Sequence, residues 1–154
     1  MKKSLLSFGL FIAVGIALQA QVIFAVESPA PFTGSYALNY AKADDGWGVA
    51  DLTIPANAVL DTLAFVEDGS VGDSLGCNTL TNGSAIFGKI AVVYRGDCQF
   101  GTKAKNAQNK GAVAVIIINN VPDDVTAFGM LGGDSGMAVT IPVIMINCQV
   151  SQGC

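Results

Sequence analysis

Four short stretches of this chain carry residue types used in catalysis. Gly133-Asp134-Ser135-Gly136 has the glycine-framed serine of a serine hydrolase. Such a serine needs a base to take its proton, normally histidine, and the chain contains none. Gly83-Ser-Ala-Ile-Phe-Gly88-Lys89 fills the first seven positions of a phosphate-binding loop. Its eighth position is Ile90, which cannot ligate magnesium, and the segment precedes a strand where such a loop must follow one. The neighbouring acids Asp44-Asp45 and Asp123-Asp124 could work as paired carboxylates. Both pairs lie in polar, turn-like sequence, where exposed acids normally serve solubility. The acids between Asp68 and Asp73 lack the spaced oxygen ligands of a calcium loop. No stretch supplies a complete reactive set, so no catalytic residue, metal or cofactor is assigned, and the chain is expected not to be an enzyme by itself.

Cysteine is the remaining reactive type. Cys77, Cys98, Cys148 and Cys154 include no Cys-x-x-Cys pair, which argues against a zinc site. An even count in an exported chain points to two disulfides, with three possible connectivities. Cys77 with Cys98 is favoured because each lies beside a turn glycine flanking the strand Lys89 to Tyr94. Such a loop closure stabilises by about 3 kcal/mol in the chain-entropy account. Cys148 with Cys154 is then what remains.

Export is inferred from the first residues. Lys2 and Lys3 precede an apolar run from Leu5 to Leu18, and small residues follow at Ala20 and Ala25. That order reads as a bacterial-type signal peptide over residues 1–20, leaving Gln21 first, with cleavage after Ala25 as the alternative. The run is short for a membrane span, so no membrane attachment is expected after cleavage. Six basic residues then remain against twelve acidic ones, 6 − 12 = −6, which disfavours nucleic acid as a partner. A protein secreted, periplasmic or held at the cell surface is expected, of one domain with one core.

The elements that must position these residues can be placed by period. Ser35 to Tyr40, Gly48 to Ile54 and Val59 to Val66 read as three strands of an antiparallel layer, separated by Asp44-Asp45-Gly46 and Pro55-Ala-Asn57. Glu67 to Gly76 is expected to be a surface loop. Lys89 to Tyr94 is a short apolar strand. Phe100, Ala104, Ala107 and Gly111 then recur at helical spacing, with Lys103, Lys105, Asn106, Asn109 and Lys110 expected mostly to face water. Asp97 stands where a carboxylate can cap the helix, and Gly111 is its expected left-handed stop. Ala112 to Ile118 has no polar residue and should be a central strand, parallel to the first through a right-handed crossover. Pro122 to Val139 is the longest loop. Ile141 to Ile146 is a last strand, and no element is foreseen for its far edge, so the chain reads either as a fragment or as an intact small protein. Asn82-Gly83-Ser84 is a glycosylation sequon, and Lys103, Lys105 and Lys110 form a small basic stripe.

The combination of Gly88-Lys89-Ile90-Ala91-Val92-Val93, Arg95-Gly96, Cys98-x-Phe100, Lys103, Asn106-Ala107-Gln108, Gly111-Ala112, Asn119-Asn120 and Ile141-Pro142 resembles the core of protease-associated (PA) domains. That resemblance implies an α+β, β-rich fold: an open β-barrel or sandwich with a short β-α-β crossover and one or two small helices. Cys77 and Cys98 also stand where many such domains share a disulfide. The implied organisation is the signal peptide, a β-rich N-terminal part over residues 26–66, a core over residues 60–147 and a truncated end over residues 148–154. The implied role is non-catalytic binding of protein or peptide partners, or else the front end of a secreted peptidase. A purely structural spacer is a third reading. Recognition is expected from the loops 67–87 and 121–139, with Asp68, Asp73, Asn82, Asp123, Asp124, Phe128 and Asp134 as candidate contacts.

Overall fold

The computed structural model describes residues 21–121 and 128–147. Four strands come first: β1 (Phe24–Val26), β2 (Gly34–Tyr36), β3 (Leu38–Tyr40) and β4 (Leu63–Phe65). The single-turn helix α1 (Gly83–Ile86) leads into β5 (Ile90–Tyr94), helix α2 (Phe100–Asn109) and β6 (Ala114–Asn119). A second single turn, α3 (Gly133–Gly136), precedes β7 (Val143–Asn147).

β5, α2 and β6 form as the period change predicts. Ala104 and Ala107 of α2 are wholly buried, and Gly111 ends the helix at φ +83°, a conformation that costs a residue with a Cβ. β5 and β6 pair in parallel, Ala91 opposite Val115 and Val93 opposite Ile117. The full sheet runs β3-β7-β6-β5-β4. β4, β5, β6 and β7 are parallel to their neighbours, and β3 is antiparallel to β7. A second, two-stranded sheet pairs β1 with β2.

Because side chains alternate along a strand, the sheet presents two apolar faces. Ala91, Val93, Val115, Ile117, Val143 and Met145 pack against α2 and against Trp47, Leu80, Ile86, Met130 and Val139. Ile90, Val92, Ala114, Ile116 and Ile118 lie on the other face, with Phe24 of the β1–β2 hairpin packed over them. Burying one such side chain contributes about 1.5–3 kcal/mol, so a central strand apolar on both faces is fixed in place from two sides. The expected α+β, β-rich class is the one observed.

Several local expectations are corrected. There is no antiparallel three-strand layer: β4 is parallel to β5, and residues 48–54 form no strand. Gly48 instead donates its N–H to Gly136 O, 3.1 Å away, and a Cβ there would collide with the Met137 carbonyl. Asp51 meanwhile bonds forward to the Thr53 N–H and hydroxyl, a local turn that competes with strand pairing. The far edge of the last strand is covered after all, by β3. Asp97 caps nothing: Gln99 holds the position before α2, and no side chain caps it there. Gly83–Lys89 holds a helical turn that buries Ile86, and Gly133–Gly136 is a second such turn rather than a flexible loop.

Candidate functional site

Helix α2 lies between two long loops, and its polar side chains tie both of them down. On one side Lys103 donates from Nζ to Leu75 O at 2.6 Å, and Asn106 donates from Nδ2 to Gly76 O at 2.9 Å. On the other side Gln108 donates from Nε2 to Ala138 O at 3.0 Å and accepts from Thr140 N at 2.7 Å. Lys105 also reaches Ala138 O, and Gln99 Oε1 accepts from Asp134 N at 2.9 Å. The polar residues read as a water-facing surface are therefore mostly loop tethers.

Lys103 is the largest departure, since none of its surface is exposed. Burial pushes its ammonium down to about 8, against the opposing pull of Asp97 and Asp68. With Lys103 buried and Lys105 held by a carbonyl, the expected basic stripe does not exist. Cys77 is joined to Cys98, and Lys103 Nζ lies 3.4 Å from the Cys77 sulfur. Cys148 and Cys154 lie outside the described residues.

Asp68 organises the first loop from inside. Only 4 % of it is exposed, which corrects its expected place on the loop surface. Its carboxylate accepts from Cys77 N at 2.7 Å, Asn78 N at 3.2 Å, Ser70 N at 3.1 Å and the Ser70 hydroxyl. Burial pushes Asp68 up, yet the bonds from Ser70, Asn78 and Cys77 outweigh it and hold the carboxyl below its ordinary range. Asp73 turns at φ +54° and accepts from Asp68 N and Gly69 N, closing the same loop. Asn82 acts as a false strand partner along the β4 edge. It donates to Phe65 O at 2.9 Å and accepts from Glu67 N at 3.0 Å.

At the second loop Phe128 sits beneath Arg95, whose guanidinium carbon lies 4.6 Å from the ring centre. Its ring is 6.3 Å from that of Phe100, and Arg95 also donates to Asn119 Oδ1 at 3.0 Å. Of the expected contact residues, Asp134 is exposed, while Asp123 and Asp124 lie outside the described residues. The described parts of the two loops present apolar side chains to solvent: Val71 is 99 % exposed, Leu131 71 % and Met137 69 %. Sequence reading missed these three, because an isolated apolar residue in a polar loop has no period to place it. Among the described residues no group of three or more metal-binding side chains comes together, and no helix is long and apolar enough to cross a membrane. A separate cavity of about 320 Å³ opens on the hairpin-covered face, lined by Phe24, Leu38, Val59, Ile90, Ile116 and Ile144 among others.

Three glycines let the loops close on α2. A Cβ on Gly101 would overlap the Gly132 carbonyl, and one on Gly132 or Gly136 would overlap the Gly46 carbonyl. Trp47, wholly buried, donates from its indole N–H to Met130 O at 2.7 Å and fixes the second loop just before α3.

The profile of the PA domain family matches residues 54–152. Among curated proteins, ER degradation-enhancing alpha-mannosidase-like protein 3 of Homo sapiens is 36% identical over 104 residues, 64% of this chain and 11% of its own length. Signal peptide peptidase-like 3 of Arabidopsis thaliana is 37% identical over 66% of this chain and 17% of its own length. Leucine aminopeptidase 2 of Arthroderma otae is 38% identical over 66% of this chain and 22% of its own length. This chain thus spans about a fifth or less of these relatives. Among solved structures, the zinc aminopeptidase BSAP of Bacillus subtilis superposes with a TM-score of 0.54 at 29% identity, covering 81% of this chain and 26% of that one. The pairing of a parallel β5–α2–β6 unit with a family match over most of the sequence settles the classification: the chain belongs to the PA domain family.

Proposed function

We propose that this chain is a non-catalytic interaction module of an exported protein, one that holds or positions protein and peptide partners near chemistry carried elsewhere. The observation that carries this reading is the use of the polar residues on and just before α2: Lys103, Asn106, Gln108 and Gln99 all bond loop backbone. Side chains engaged in this way are tethers, and the described parts of both loops are braced while Val71, Leu131 and Met137 stay exposed. Binding by loops on a rigid scaffold keeps the ordering cost of association low. The Cys77–Cys98 bridge fits an oxidising compartment outside the cytosol. An excess of acidic residues disfavours nucleic acid as a partner.

The test uses single photoreactive residues at positions 71, 131 and 137, with position 60, exposed but outside both loops, as the control. Purified protein is irradiated with a library of unstructured peptides. Crosslinks from loop positions that exceed those at position 60 support the reading; equal yields at all four positions refute the surface, and no crosslink anywhere refutes peptide binding.

A second reading, the front segment of a secreted peptidase, is favoured by one observation: the aminopeptidases it resembles are several times longer. Sequencing past codon 154 decides it. An open frame carrying a metallopeptidase or serine-triad motif would establish that the module serves a catalytic domain in the same chain.

A further inference from the structure

The bridge between Cys77 and Cys98 has one polarised end. Lys103 Nζ stands 3.4 Å from the Cys77 sulfur, on a side chain with no exposed surface. The Cys77 N–H is anchored to Asp68, and the two residues before it are pinned by Lys103 and Asn106 through Leu75 O and Gly76 O. Cys98 follows Asp97, whose backbone is held at φ +60°. Both sulfurs belong to half-buried residues.

We infer that this disulfide is a directional thiol-exchange site, at which a small thiol attacks Cys98 and the Cys77 sulfur leaves toward Lys103. In balanced form, RS⁻ adds to the Cys98 sulfur, the S–S bond breaks, and its electron pair departs on Cys77. The products are a mixed disulfide, RS–S–Cys98, and a Cys77 thiolate. The reductant is a low-molecular-weight monothiol; a second equivalent would release Cys98 as a thiol together with RSSR. Exchange is faster when the leaving sulfur makes the more stable thiolate, and a neighbouring ammonium stabilises a thiolate.

Asp97 and Asp68 are the carboxylates that act on Lys103, and its ammonium touches the Cys77 sulfur. Asp68 is close to Cys77, but its carboxylate is already met by Ser70, Cys77 and Asn78 donors. Arg95 of the same turn is engaged with Asn119 and the Phe128 ring. Once the bond opens, the two carbonyl tethers keep Cys77 beside Lys103, so the loop stays placed for reclosure.

The experiment treats the oxidised full chain with excess glutathione, quenches with acid, alkylates free thiols and maps both cysteines by mass spectrometry. The glutathione adduct is expected on Cys98 and the alkyl group on Cys77; the reverse, or an equal division, overturns the proposal. Rates provide a second measurement. Exchange should be about three- to tenfold slower in Lys103→Gln, because a Cys77 sulfur without its ammonium neighbour is the poorer leaving group. Since that variant can loosen the loop, the Cys98→Ser chain is titrated as well. The Cys77 alkylation midpoint should lie below the ordinary thiol value of about 8.5 and rise when Lys103→Gln is added. An unmoved midpoint overturns the assignment of Lys103.

Discussion

Raising the pH should stabilise this protein across an interval where most proteins are indifferent or weaken, and Lys103 is the reason. Its ammonium is pushed down to about 8 in the folded chain, first by burial, with Asp97 and Asp68 pulling the other way, from an ordinary value of 10.5. Between those two values the unfolded chain binds a proton that the folded chain does not. Stability therefore rises with pH from about 8 to 10.5 and is flat in this residue on either side. The gap between about 8 and 10.5 corresponds to at most about 3 to 4 kcal/mol, and to about 1 to 2 kcal/mol once screening by nearby solvent is allowed for. Tyrosines also titrate here, so the assay is a difference. Urea unfolding of the wild type and of Lys103→Met is followed at several pH values in this window, without added thiol. The stability of the wild type relative to the variant should climb by that amount from the bottom of the window to its top. A constant difference would refute the account, and a falling one would mean that Lys103 is held charged as an ion-pair partner.

Other substitutions test the remaining tethers. Gly101→Ala drives a methyl into the Gly132 carbonyl and should cost about 1–3 kcal/mol, the usual price of overpacking, measured as a lowered urea midpoint with unchanged m-value. Asn82→Ala leaves Phe65 O and Glu67 N without their bridge; both bonds are exposed, so the cost should be about 0.5–1.5 kcal/mol, read from the urea midpoint. Asp68→Asn removes a carboxylate held below its ordinary range. Its stabilising contribution is present above the unfolded value of 3.8 and disappears as pH falls through the folded one, so the variant should show a shallower loss of stability in acid, read from thermal midpoints.

The central unit was legible because its signals are local. Ala112 to Ile118 is apolar without interruption, and the change from strand to helix period at Phe100 marks α2. Gly111 marks where that helix stops. The same periodicity could have located Lys103: it lies three residues after Phe100 and four before Ala107, on the buried stripe of α2. Residue type outweighed spacing in that reading. Asp68 had no such signal, since a carboxylate among glycines and serines looks like solvent-facing turn sequence until Cys77 and Asn78 fold back onto it. The pairing of β3 with β7 joins segments about a hundred residues apart, Leu38 opposite Ile146, and no short-range pattern records it. Gly48 to Ile54 had strand composition, but a backbone-to-backbone contact with Gly136 and Met137 decided its path.

That long-range pairing carries a consequence for how the molecule comes into being. β3 is made early and can find its place only beside β7, which emerges from the ribosome more than a hundred residues later. β7 also completes the side of β6 turned away from β5. Until that late arrival, Ile116 and Ile117 line an open seam, and one unfinished margin can pair with another nascent copy. A holdase acting on the nascent chain would have its greatest effect in this interval, and an interruption of synthesis just before Val143 would yield a species that aggregates instead of one that is merely less stable.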